Sequence, residues 1–132
     1  MNKEDLKMYV QLIKEAEELK KRAEYLEDEA KSVKAVVIDD MPKGSGTRGG
    51  ICNIVVKIEQ LRSEYLHKYD LALCELYRIE RVIEELENPT DRMLMRKRYI
   101  EGKRWEDICV ELNYCWKQIH RIHSRVLKKI LR

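Results

Sequence analysis

The side chains in this sequence that could hold a metal ion or attack a bond are few, and most lie in its last third. Cys109, Cys115, His120 and His123 offer two thiols and two imidazoles in one short stretch. Their spacing, C-x5-C-x4-H-x2-H, matches no finger-type pattern that gathers four ligands around a tetrahedral zinc. His123 also falls on what reads below as an apolar helix face, where a histidine packed at a core edge is the plainer reading. No metal is expected. No serine, cysteine or threonine is spaced with a histidine and a carboxylate in a way that suggests an activated nucleophile. The paired carboxylates belong to Glu-rich helix surfaces. The run Gly44-Ser45-Gly46-Thr47-Arg48-Gly49-Gly50 lacks the Gly-Lys-Ser/Thr ending of a phosphate-cradling loop, and no strand precedes it. Neither an enzyme nor a cofactor is expected.

What remains is charge. Lys and Arg number 27 and Asp and Glu 24, a net charge of only +3, but the two signs are unevenly placed. Residues 1–87 hold 15 cationic and 19 acidic side chains, a net of −4, and residues 88–132 hold 12 and 5, a net of +7. From 113 to 132 there are six cations and no carboxylate. A basic end of this kind suits a polyanionic partner.

On a helical wheel the cations of 116–132 separate from the apolar residues. Ile119, Ile122, Val126 and Ile130 share one face, flanked by His123 and Leu127. Lys117, Arg121, Ser124, Arg125, Lys128 and Arg132 share the other, with Gln118 at its edge. Two shorter helices precede this one. The first carries Met93, Leu94, Arg96 to Arg98, Tyr99 and Ile100 and stops at Glu101-Gly102, where glycine can take a left-handed conformation. The second carries Trp105, Ile108, Cys109 and Leu112, with Glu106 and Asp107 at its positive end. Asn113-Tyr114-Cys115 then forms a three-residue turn, asparagine being well suited to positive φ.

A helix, a tight turn and a second helix with polar side chains in its first two turns is helix-turn-helix geometry. Lys117, Gln118 and Arg121 sit early enough to reach base edges, and Arg125 and Lys128 along the strip would neutralise phosphates. Trp105 reads as core. Trp116 suits either packing on the turn or contact with a sugar or thymine methyl. His120 reads as an exposed flank, in phosphate contact or in solvent. Arg96-Lys97-Arg98 reads as a solvated turn or a backbone contact.

These helices must be carried by the rest of the chain. Tyr9, Leu12, Ala16, Leu19, Ala23, Leu26, Ala30 and Val33 recur at alternating intervals of three and four, a heptad stripe of about three and a half repeats. A second stripe runs through Ile51, Ile54, Ile58, Leu61, Tyr65, Tyr69, Ala72, Leu76, Ile79, Ile83 and Leu86. Between them, MPKGSGTRGG at 41–50 holds four of the five glycines and reads as a flexible connector. The expected architecture is all-α: a long antiparallel, coiled-coil-like helical hairpin over 1–87, then a three-helix domain over 88–132, with Asn88-Pro89 as the seam. A two-helix hairpin has little core, so a homodimer or higher homo-oligomer formed through it is expected; the alternative is a lone hairpin that packs on the basic domain.

Aromatic residues make up 7% of the chain, and two prolines leave room for long helices. No apolar run approaches the ~18 residues of a membrane span, and Met-Asn-Lys-Glu-Asp does not open a signal peptide. A cytoplasmic protein with no membrane partner and with reduced cysteines (Cys52, Cys74, Cys109, Cys115) is therefore expected.

The string RYIEGKRWEDICVELNYCWKQIHRIHSRVLKKI resembles the region 4 helix-turn-helix of bacterial sigma factors, in its RY-x-EG-x-x-W-EDI opening and its RIHSR-x-LKK close. The chain as a whole resembles the ArpU-type transcriptional regulators of Gram-positive phages and prophages, including Asp40-Met41-Pro42 before a glycine loop. That resemblance implies sequence-specific binding of double-stranded DNA at late-gene promoters inside the bacterial host cell, beside or within host RNA polymerase. The family's reading positions map onto Trp116, Lys117, Gln118, His120, Arg121 and Ser124. Two departures stand out: Cys115 and Arg104 occupy positions where the family tends to have Ser or Thr, each removing a helix cap worth roughly 1 kcal/mol. The rival readings are a small terminase subunit that recognises a packaging site and an adaptor that binds RNA polymerase without reading DNA.

Overall fold

The computed structural model describes the backbone of residues 1–40 and 45–131 and the side chains of residues 1–32 and 53–131. Among the described residues the chain is wholly helical, with no strand. Two long helices, α1 (Lys3–Asp40) and α2 (Ser45–Glu84), precede three short ones, α3 (Pro89–Tyr99), α4 (Trp105–Leu112) and α5 (Trp116–Ile130). This is the all-α architecture expected. One boundary differs: α2 starts at Ser45, so Gly46 to Gly50 lie in helix and do not form a connector. Helix propagation from the long stripe that follows offsets the entropic cost of about 1 kcal/mol per glycine. Residues 41–44, and the side chains of Val33, Ile51 and Cys52, lie outside the described residues.

The chain divides into two compact units, Lys14–Tyr69 and Met1–Ile13 with Asp70–Arg132. In the first unit, α1 and α2 run antiparallel. Glu15 pairs with Lys68 at 2.7 Å, and Glu27, farther along α1, pairs with Arg62, earlier on α2. The stripe residues Ala16, Ala23, Ala30, Ile58 and Leu61 are buried between them. Small alanines at alternate positions let the backbones come close, while Lys and Glu hold the solvated sides. The Glu27 carboxylate raises the pKa of the Arg62 guanidinium, chiefly by hydrogen bonding to it.

The second unit contains α3, α4 and α5 together with one end of each long helix. Its core gathers Leu6 from α1, Ile79 and Ile83 from α2, and Leu86, Leu94, Met95, Tyr99, Ile108, Ile119 and Val126. The packing boundary therefore does not fall at residue 88, where charge and proline place it. Three short amphipathic helices expose more apolar surface than they can cover for one another, and the ends of α1 and α2 cover the remainder. Leu6, three residues before Tyr9, continues the first stripe by one step.

Local chemistry fixes the joints of this unit. Asn88 caps α3, its side-chain oxygen accepting from the Thr90 amide at 2.9 Å, with Pro89 at the first helical position. Arg92 donates to the carbonyls of Leu86 (2.6 Å) and Glu87 (3.1 Å), which follow α2. Between α3 and α4 the chain turns through Gly102 at φ +69°, in the left-handed region. A Cβ there would meet Val10 of α1 at 3.2 Å, so glycine is required by both its backbone angle and the space around it.

Candidate nucleic-acid interface

The turn between α4 and α5 sets the angle at which α5 leaves the core. Asn113 adopts φ 60° and ψ 38°, a left-handed conformation that asparagine tolerates better than most residues. Arg104 makes no side-chain cap bond, as its type leads one to expect. At Cys115 a capping box forms: the thiol faces the Gln118 amide, and Gln118 reaches back so that its Oε1 accepts from the Cys115 amide at 3.3 Å. Gln118 thus serves as the return half of a capping box, which ties up the carbonyl it would present to a base edge.

One face of α5 is in the core. Ile119 and Val126 are fully buried, and His123 is 8% exposed. The Tyr99 hydroxyl and Nε2 of His123 share a hydrogen bond of 2.6 Å, and the Trp105 ring lies edge-on to the imidazole at 4.6 Å between centroids. Burial first, and then the neighbouring Lys3, His120 and Arg98, hold His123 down to about 4, so it is neutral at ordinary pH. Burial likewise raises the Tyr99 phenol above its usual value. His123 is therefore the packed histidine its position suggests.

The opposite face is open. Lys117, Arg121, Ser124, Arg125 and Lys128 are all exposed, and with Trp116 and His120 they line a shallow groove of about 570 Å³. Among the described residues, Lys117, Arg121 and Lys128 enter no ion pair. From Lys117 to Lys128 this row extends about 16 Å at 1.5 Å per residue. No carboxylate stands on α5, so the cations reinforce one another's field. Trp116 opens the row half-exposed, at 51%, its ring 4.4 Å from that of His120.

Three expected contact residues stand differently. His120 is not an exposed flank: it is partly buried between Trp105 (4.8 Å) and Trp116 (4.4 Å), with its Nε2 closed off from solvent and without a hydrogen-bond partner. Two indole rings cover it, which makes it a wedge under Trp116 and leaves Nε2 no access to a phosphate. Gln118 is engaged at the cap. Arg125 is not a free cation, since its Nη2 donates to Oδ1 of Asp91 on α3 at 2.9 Å.

Arg96-Lys97-Arg98 is neither a solvated turn nor a free basic cluster. Arg96 is bound to Glu80 at 2.7 Å, and Lys97 to Glu111 at 3.1 Å. Arg98 donates to the Lys103 carbonyl at 3.0 Å and lies over the Trp105 ring at 4.6 Å. Glu111, hydrogen-bonded by Lys103 and by Lys97, is held below the usual carboxylate range. These basic residues hold the helices together.

Asp91 is the site residue that sequence reasoning missed. As one acid in the first turn of a helix it reads as a partner of the helix dipole, and no local pattern links it to a residue 34 positions away.

Cys74, Cys109 and Cys115 are free thiols. Among the described residues no group of three or more His, Cys, Asp or Glu side chains converges as a metal site would need. No helix among them is long and apolar enough to cross a membrane. Comparison of the chain with protein-family models, with curated proteins and with solved structures returned no match.

Proposed function

We propose that this chain is a sequence-specific double-stranded DNA-binding transcriptional regulator of a phage or prophage, with α5 as its recognition helix. The observation that carries the reading is the row Lys117, Arg121 and Lys128, unpaired among the described residues, on the solvent face of a helix whose other face is locked in a core. Free cations on a rigid rod can neutralise phosphates without first breaking internal ion pairs. In this reading Lys117 and Arg121, in the first two turns, reach base edges in the major groove, where an arginine can bind guanine through two donors. Lys128 touches the backbone, and the exposed edge of Trp116 meets a sugar or a thymine methyl. The sigma-like string from Arg98 to Ile130 points to promoters, and so to action alongside the host RNA polymerase.

The antiparallel pair of long helices would join subunits, bringing two recognition helices to two half-sites about 34 Å apart. Tyr25, Val55, Val56 and Leu66, large apolar side chains exposed in the Lys14–Tyr69 unit, suit that role.

Footprinting of the purified chain on fragments of its own genome, at low and moderate salt, tests the proposal. A protected site beside a promoter that persists as salt rises is the expected result. Diffuse protection that vanishes with salt would overturn it, leaving the basic face as a non-specific electrostatic handle.

A further inference from the structure

Arg125 and Asp91 form an asymmetric pair. The Asp91 carboxylate is almost completely buried, at 2% exposure, in the first turn of α3, while the Arg125 side chain is 53% exposed on α5. The contact uses Nη2 and Oδ1 at 2.9 Å, so Nε and Nη1 of the guanidinium remain for another acceptor. Arg125 also borders two grooves, one lined by Trp116, Lys117, Arg121, Ser124 and Lys128, the other by Tyr114, Gln118, Arg121 and Ile122. Arg125 is thus shared by both grooves of the basic face.

A free arginine on a helix surface samples many rotamers, and ordering it on a ligand costs side-chain entropy. A buried carboxylate that grips one nitrogen removes part of that freedom beforehand. It also shares the positive charge, so the residue contributes less to indiscriminate attraction for phosphates than Lys117, Arg121 or Lys128 does.

We propose that Asp91 is a positioning residue for DNA recognition: it pins Arg125 so that the free guanidinium edge meets one defined acceptor on the duplex. The proposal rests on the DNA-binding reading above and adds a residue from α3 to it. Asp91 restrains the arginine and subtracts from its long-range charge, and both effects favour the correct site over random sequence.

The test uses the full chain, the genomic duplex protected in the footprint, and a scrambled duplex of equal length. Asp91→Asn keeps the shape and removes the charge. It should weaken binding to the protected duplex about tenfold, the order of one lost directional contact. Binding to the scrambled duplex should hold or tighten, and the salt slope on it should steepen by about one unit, because a released guanidinium engages one more phosphate. Asp91→Glu should restore part of the discrimination. Arg125→Lys, which keeps the charge and loses the fork, should mimic Asp91→Asn on the protected duplex, and the double variant should be no worse than either single one. This holds the proposal falsifiable if Asp91→Asn alone unfolds. Equal weakening on both duplexes, or additive losses in the double variant, would mean a purely structural tie and overturn the positioning role. A wild-type chain that prefers no duplex would overturn the DNA-binding reading itself. A wild type that discriminates, with Asp91→Asn discriminating equally well, would overturn only the role of Asp91.

Discussion

Tyr99 and His123 are 24 residues apart in sequence, yet the Tyr99 hydroxyl and the His123 Nε2 are 2.6 Å apart in the core. The rings lie 5.8 Å apart and nearly parallel. Through this contact α3 holds α5 from behind, and the cationic face is presented on a helix that cannot rotate without breaking it. A neutral imidazole is needed there, because a charged one would be buried beside Arg98 and Lys3 with no carboxylate among the described residues to answer it.

Stability should therefore depend on pH with a definite sign. The folded chain holds His123 at about 4, whereas an unfolded histidine titrates near 6.5. The contribution is complete above pH 6.5 and is lost as pH falls toward 4, where the unfolded chain alone takes up the proton; the whole window is worth at most about 3 kcal/mol. Thermal melts followed by tryptophan fluorescence should show a falling midpoint between pH 6.5 and 5. His123→Gln should flatten that slope, and an unchanged slope in the variant would show that another group is responsible.

Leu6 tests whether the first turns of α1 belong with the C-terminal helices. It is fully buried in the cluster containing Ile79, Leu94 and Ile119. Leu6→Ala should destabilise the unit by about 2–5 kcal/mol, the range for a large side chain removed from a packed core. Chemical denaturation read at Trp105 would record it. If residues 88–132 were an independent domain, the midpoint at Trp105 would not move.

Gly102 separates two costs that are usually mixed. A side chain at φ +69° is strained by roughly 1 kcal/mol, and its Cβ would also press on Val10 at 3.2 Å. Gly102→Ala should lower stability by more than the backbone cost alone. Adding Val10→Ala should recover only the steric part. Full recovery in the double variant would show that the backbone angle relaxes at no cost.

The elements were readable because each carries its own local signal. Heptad spacing marks α1 and α2, Asn88-Pro89 and Gly102 bracket α3, and Asn113 stands at the left-handed turn its type favours. Core positions followed from the same periodicity, as at Ile108, Ile119 and Val126. What could not be read was pairing at long range. Nothing near Arg125 announces Asp91, and nothing near Arg96 announces Glu80, because charges on separate helices meet only after the helices pack. His120 escapes the wheel for a related reason: its place there is a flank, but two large indoles close over that flank. The glycines at 46–50 suggested a connector on composition, and their inclusion in α2 reflects the long helix that follows.

Whether α5 reads base sequence or merely attracts phosphate is decided by titrating the protected duplex and a scrambled one with wild type, Arg121→Ala and Lys128→Ala, each at two salt concentrations. Arg121→Ala should cost about 1–3 kcal/mol on the protected duplex and relax preference at one base position, with a much smaller loss on scrambled DNA. Lys128→Ala should weaken both duplexes alike and reduce the salt slope by about one unit. Equal losses from both substitutions on both duplexes would mean that α5 attracts phosphate without reading sequence.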